Sequence, residues 1–267
     1  FRQVSAGSFF TCGITEGKEL LCWGQDYDGQ TVVPKIHREE HPTFNATAIR
    51  NWTSVSCSSG YHHACGVADD RIVCWGNNEF NQTVAPLQHN WSQASAGQYH
   101  SCGLTLDGVA LCWGDNTHGQ TSVPPLPGQR WRQISAGHYH TCGVLVDGRG
   151  FCWGSAVYGA TYLPADVTSW SKIVVGRFHS CGLTAQGGLR CWGTNQDKVL
   201  DHPQVAQRKL RLLPVTLTLR SQDARVWRGI TSGLFHVCAV DSNFVGVCWG
   251  RSAYGMTTPP SELWLSS

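Results

Sequence analysis

One motif constrains this chain more than any other. Six times a cysteine is followed nine or ten residues later by a second, and the second always precedes Trp-Gly. The pairs are Cys12 and Cys22, Cys65 and Cys74, Cys102 and Cys112, Cys142 and Cys152, Cys181 and Cys191, and Cys238 and Cys248. In the third copy two short apolar runs flank Asp107-Gly108, a strong hairpin signal. If Cys102 faces Cys112, Thr105 pairs with Val109, and Leu106-Asp107-Gly108 forms a three-residue loop closed by a left-handed glycine. The second copy is one residue shorter, and Asp69-Asp70 makes a two-residue loop that keeps its cysteines opposed.

Opposed antiparallel residues have Cα atoms roughly 4.5–5.5 Å apart, and a disulfide needs roughly 4.4–6.8 Å. The reading is therefore six cross-strand disulfides, one per repeat. Zinc is the competing use of so many cysteines. Against it stands the lack of any Cys-x-x-Cys spacing.

The repeat extends beyond the hairpin, with Trp131-Arg132-Gln133-Ile134-Ser135-Ala136-Gly137-His138-Tyr139-His140 upstream in one copy and Gly119-Gln120-Thr121-Ser122-Val123-Pro124 downstream in another. One unit holds four strand candidates: Trp131 to Ser135, His140 to Leu145, Arg149 to Trp153 and Thr161 to Leu163. The Trp-Gly motifs are spaced by 52, 38, 40, 39 and 57 residues. A period near 40 with four strands per unit predicts an all-β fold, a β-propeller of six four-stranded antiparallel blades with one disulfide each. A lone blade cannot bury both faces, so the units must stack.

The sequence Ser-Ala-Gly-x-Tyr-His-x-Cys-Gly-Leu, then Cys-Trp-Gly, then Gly-Gln-Thr resembles the repeats of the regulator of chromosome condensation superfamily. The paired cysteines make it most similar to the secreted "crinkly" repeats of plant receptor-kinase ectodomains. The resemblance covers nearly the whole chain and implies a propeller. Those families usually have seven blades, so a seven-bladed ring with one blade outside this segment is the alternative to six. The chromosome-bound member is a nucleotide exchange factor for a nuclear GTPase, a partner that a disulfide-rich chain would not meet.

A single domain is expected over residues 1–267, with blades at about 1–34, 52–86, 91–124, 131–164, 170–203 and 227–260 and insertions at 35–50 and 204–225. A hydrophobic share of 41% and 12 Trp are ample for its core. The net charge of +2 implies no field for nucleic acid or a membrane surface, and no apolar run is long enough to span a bilayer. The absence of an initiator Met and of a signal peptide fits a processed or excised segment. Twelve of 13 cysteines in hairpin pairs indicate an oxidising compartment, hence a secreted or extracellular protein. Sequons at Asn45, Asn51, Asn81 and Asn90 predict N-glycosylation. Cys57, left over, falls three residues before Gly60. The same count gives Val4, Ala94, Ile134, Ile173 and Ile230, so a buried free thiol is expected.

Catalytic motifs find little support. His37-Arg38-Glu39-Glu40-His41 matches an inverted zinc-protease pattern, but Pro34 and Pro42 leave too little chain for the helix that pattern needs. His63, His100, His140, His179 and His236 share one repeat position, which Phe10 fills in the first copy. That substitution suits structural histidines bonding an adjacent turn better than a metal ring. The insertion at 204–225 is basic and carries Val215-Thr216-Leu217-Thr218-Leu219, a candidate extra strand or docking element.

The expectation is a non-catalytic extracellular recognition module, without cofactor or metal. Its partner is an extracellular protein or a glycan, with neither nucleic-acid binding nor membrane insertion, and self-association is compatible with it. A lectin and a structural block of an extracellular fibre or coat are the alternatives. Strands in a blade alternate direction, so the turns between strands one and two and between three and four share a face. That face carries the ligand candidates Phe80, His118, His138, Tyr158, Arg177 and Tyr254.

Overall fold

The computed structural model describes residues 1–34, 51–58, 60, 62–201 and 226–251. The insertions with His37–His41 and Val215–Leu219, Asn45, Tyr254 and the tail after Arg251 lie outside the described residues. The described chain forms six three-stranded antiparallel sheets in sequence order. They comprise Gln3–Ala6, Phe10–Ile14 and Leu20–Gly24; Trp52–Cys57, His63–Ala68 and Arg71–Gly76; Trp91–Ala96, His100–Thr105 and Ala110–Gly114; Trp131–Ala136, His140–Leu145 and Gly150–Gly154; Trp170–Val175, His179–Thr184 and Leu189–Gly193; and Trp227–Ser232, His236–Asp241 and Gly246–Gly250. Each sheet packs on the next in chain order.

The hairpins follow the spacing of the cysteines. Cys102 pairs with Cys112, the Thr105 N–H donates to the Val109 carbonyl at 2.9 Å, and Gly108 takes φ 80°. In the second sheet Asp69 and Asp70 have φ 48° and 60°, the mirror-image turn of a two-residue hairpin. All six disulfides are present, with Cα atoms 4.0–4.1 Å apart.

In the first five repeats an aromatic ring, Phe1 or Trp52, Trp91, Trp131 and Trp170, is laid over the glycine after the first cysteine; the sixth has Ala239 at that position. A Cβ on Gly143 would stand 2.5 Å from Cζ3 of Trp131, so the bare backbone is the seat for that ring. The tryptophan of Cys-Trp-Gly meets it from the side, with ring centroids 5.5 Å apart for Trp131 and Trp153.

The expected fourth strand is absent from the described residues. Residues 161–163 are turn and coil, and the matching segments of the first three repeats are likewise turn, bend and coil. Their polar groups are committed elsewhere. In the third repeat the Thr121 N–H donates to Asn116 Oδ1, His118 N–H to Gln120 Oε1 and Val123 N–H to the Thr121 carbonyl. The Gln120 carbonyl accepts from Trp153 Nε1 at 3.0 Å and from Thr141 Oγ1 at 2.8 Å, both in the following sheet. Pro34, Pro86, Pro124 and Pro164 then remove a ladder donor.

These bonds are one layer of a repeated stitching between sheets. Carbonyls of Gln30, Gln82, Ala160 and Val199 accept from Trp75, Trp113, Trp192 and Trp249 in the same way. Gln93 clamps both backbone groups of Ile134, and Gln133 those of Ile173. Four shared histidines bond across to the next sheet, and His100, His179 and His236 lie against Gly97, Gly176 and Gly233 of their own loops. Nε2 of His63, His100, His140 and His179 sits 2.8–3.0 Å from Ser101, Thr141, Ser180 and Ser232 hydroxyls in the next sheet.

Cys57 is free and buried, but the count that located it needs correction. Val55 pairs with Gly66 as Ile134 pairs with Gly143, whereas Cys57 pairs with Ala64 as Ala136 pairs with Thr141. The loop of the second sheet is two residues longer, so Gly60 is not the equivalent of Gly137. Cys57 therefore fills the slot of Ala96, Ala136 and Val175. Burial pushes its thiol up to about 12, against the opposing effect of the Ser5 hydroxyl. Val4 does hold the position counted for it, yet it is exposed.

Candidate functional site

The described turns after Cys-Trp-Gly are built by their own side chains. Gln82 Oε1 accepts from the Phe80 N–H at 2.8 Å, and Gln120 serves His118 alike. Asn81, Gly119, Gly159 and Lys198 take positive φ in the same place. The residue before them is thereby held outward at the edge of the sheet, and Phe80, His118 and Tyr158 are exposed there.

Each of these residues reaches the next sheet's first loop. Phe80 meets Tyr99 edge-on at 4.9 Å, His118 meets Tyr139 at 5.0 Å and Tyr158 meets Phe178 at 5.5 Å. In the first repeat, Asp28 Oδ2 lies 2.9 Å from His62 Nδ1, and the Tyr27 ring lies 6.1 Å from that histidine. In the fifth, Asp197 Oδ1 pairs with Arg251 Nη2 at 3.0 Å, and that guanidinium sits 4.4 Å over the Phe235 ring. The loop aromatics also touch one another: Tyr99 lies 5.9 Å from His138, and Tyr139 stacks on Phe178 at 5.7 Å. The result is a belt of rings from Phe80 to Phe178 along one face, joined to Phe235 through Arg177, with Phe9, Tyr27 and His62 as a separate group in the first two repeats.

Successive loops are hydrogen-bonded beneath this belt. Gln98 N–H donates to the Gly137 carbonyl, His138 N–H to Gly176 and Arg177 N–H to Leu234. His138 is buried rather than presented to solvent; burial, then the Arg177 charge, holds its imidazole down to about 3. Arg177 is half-buried over Phe178 and Phe235. Of the candidates from sequence, Phe80, His118 and Tyr158 stand at the outer edge, His138 and Arg177 at the inner one, and Tyr254 lies outside the described residues. Sequence reasoning missed Tyr99, Tyr139, Phe178 and Phe235. The signal was present, because an aromatic or His62 precedes each repeat histidine.

Asn51, Asn81 and Asn90 are exposed. Asn51 directly precedes the second sheet, whose Trp52 N–H donates to Lys18 in the first hairpin turn, and the Asn90 carbonyl accepts from Leu106 in another hairpin turn. Both therefore lie on the face opposite the belt, whereas Asn81 borders it. Among the described residues, no group of three or more His, Cys, Asp or Glu could hold a metal ion, and no helix is long and apolar enough to cross a membrane.

A family model described as "Regulator of chromosome condensation (RCC1) repeat" matches residues 1–30, 91–120, 131–160 and 170–198. Among solved structures, the entire ectodomain of the Physcomitrella patens receptor kinase CR4 aligns with a TM-score of 0.65 and 24% identity, over 93% of this chain and 60% of that one. The chain thus spans less than two thirds of that ectodomain. The CRINKLY WD40 ectodomain of the Arabidopsis thaliana receptor kinase ACR4 aligns with a TM-score of 0.62 and 23% identity, over 96% of this chain and 80% of that one. Prp20p of Saccharomyces cerevisiae gives 0.65 and 18%, over 92% and 71%. At these identities the likeness is one of fold. Four of the six sheets, the first, third, fourth and fifth, fall within the segments that this family model matches, and the other two repeat the same hairpin and disulfide.

Proposed function

We propose that this chain is an extracellular, non-catalytic recognition module, a single β-propeller domain over residues 1–267 whose belt face meets a protein or carbohydrate ligand. The observation that carries the reading is the run of rings from Phe80 to Phe178 on loops held by inter-sheet hydrogen bonds. Aromatic side chains on a rigid scaffold give large contact area at small entropic cost. The six disulfides favour an oxidising compartment, and the ectodomain neighbours point the same way. N-glycans at Asn51 and Asn90 would shield the opposite face and leave the belt open. One at Asn81 would narrow the belt toward the fourth to sixth repeats.

The test is a binding screen of the purified chain against a glycan array and a panel of extracellular protein domains, repeated with Tyr158→Ala and Phe80→Ala. A partner lost by the belt variants supports the reading, and the array that yields it separates lectin from protein receptor. A partner that survives both variants, and is lost only on deletion of residues 204–225, shows that the basic insertion is the docking element instead.

A further inference from the structure

Two groups that the belt leaves without an acceptor lie on the same ring. The Arg177 guanidinium carbon stands 5.0 Å from the Phe178 centroid and 5.6 Å from that of Phe235. Its Nε is buried and meets no acceptor among the described residues. The acid of this arc, Asp197, is already taken by Arg251 at 3.0 Å. His138, only 5% exposed, has its ring 6.2 Å from that of Phe178, and its Nδ1 is also buried without a partner among the described residues. Gln98 has an orphan Oε1 too, but that atom is an acceptor and its side chain lies over Gly60.

Buried N–H groups are costly without an acceptor. A neutral imidazole can place its hydrogen on Nδ1, so both atoms can be donors, and what the site lacks is a negative oxygen. We propose that Arg177 and His138 form a carboxylate-binding site within the belt, taking the acidic side chain or chain terminus of a peptide ligand. The planar guanidinium fork matches a carboxylate. Phe178 and Phe235 hold that fork in place and limit water around it, which strengthens the pairing. Burial, and after it the neighbouring charge of Arg177, keeps His138 neutral, so the imidazole donates one hydrogen bond rather than adding a second full charge.

This inference deepens the recognition reading and rests on it for the face concerned. The Arg177 Nε–H and His138 ring resonances of the full chain are followed by NMR at pH 6 during titration with sodium acetate, with N-acetyl-aspartyl amide, and with sodium chloride at matched ionic strength. Both carboxylates should give saturable shifts that chloride does not, and the aspartyl amide should bind more tightly than acetate. Arg177→Gln should weaken acetate binding about tenfold or more, since a charged hydrogen bond is lost. Arg177→Lys, which keeps the charge without the fork, should fall between and decides the matter if the glutamine variant does not fold. Shifts equal to those from chloride, no shift, or unchanged affinity in both Arg177 variants would overturn the site. Equal binding of the two carboxylates would overturn its assignment to a peptide. If acetate binds but Tyr158→Ala leaves partner binding intact, the recognition reading fails and the site stands. If acetate does not bind while Tyr158→Ala weakens the partner, the site falls and the face stands.

Discussion

The first and fourth sheets are the same repeat in different surroundings. Phe1 is 64% exposed and its counterpart Trp131 6%; Val4 is 55% exposed and Ile134 1%; Trp23 is 46% exposed and Trp153 8%. The rings are of the same kind, and Phe1 even meets Trp23 at 5.9 Å, much as Trp131 meets Trp153. What differs is the preceding sheet. Trp153 Nε1 has the Gln120 carbonyl of the third repeat, and Ile134 is clamped by Gln93. The first sheet has no preceding sheet among the described residues. Burial in this fold is thus conferred by a neighbour on one flank, as expected of stacked repeats.

The largest test of that difference is acid. Burial holds His100, His138 and His140 down to about 3 and His179 to about 4, each from an ordinary value near 6.5. Phe10 occupies the equivalent place in the first sheet and cannot titrate. The unfolded chain takes up protons that the folded one refuses, so stability is full above about pH 6.5 and falls as pH drops toward 3. Urea unfolding at intervals from pH 7 to pH 4 should show the midpoint falling steadily. His140→Phe, copying the first sheet, should make that fall shallower; an unchanged slope would mean the ring is not kept neutral by the fold.

Next comes core truncation. Trp131→Ala should cost about 3–5 kcal/mol, as for a fully buried aromatic, while Phe1→Ala should cost less than about 1 kcal/mol. Denaturant titration of both variants checks this, and a Phe1 cost equal to that of Trp131 would show that something covers the first flank in solution.

A third test should erase the difference. Cys12–Cys22 and Cys142–Cys152 each close the same ten-residue separation. A cross-link acts mainly on the unfolded chain, so replacing either pair by Ala should cost a similar amount, about 2–3 kcal/mol. Unequal costs, read by calorimetry under non-reducing conditions, would mean that strain or packing rather than chain entropy sets the value.

The smallest effect belongs to the belt. Tyr158 is exposed, so Tyr158→Ala should change stability by no more than about 0.5 kcal/mol. A larger loss on thermal denaturation would make its contact with Phe178 structural and weaken its assignment to binding.

The hairpins, their disulfides and the all-β repeat were legible in the chain because each depends on a few adjacent residues. Asp107-Gly108 sets a loop length, and the loop length sets which cysteines face each other. The belt was half legible. Turn residues such as Phe80 and Tyr158 stand out by their variety, whereas Tyr99, Tyr139 and Phe178 looked like invariant framework. Only the docking of one sheet on the next shows that the two sets touch. Counting along the chain also failed where a loop changed length, as at Cys57.

Sequence by itself determined what has a short reach: turn chemistry, hairpin register and cysteine pairing. Tertiary structure alone decided which identical side chains are buried, where the backbone of the would-be fourth strand spends its hydrogen bonds, and that Arg177 and His138 share Phe178. The reason is that these depend on contacts between residues about 40 positions apart, such as Gln133 and Ile173, which no local pattern encodes.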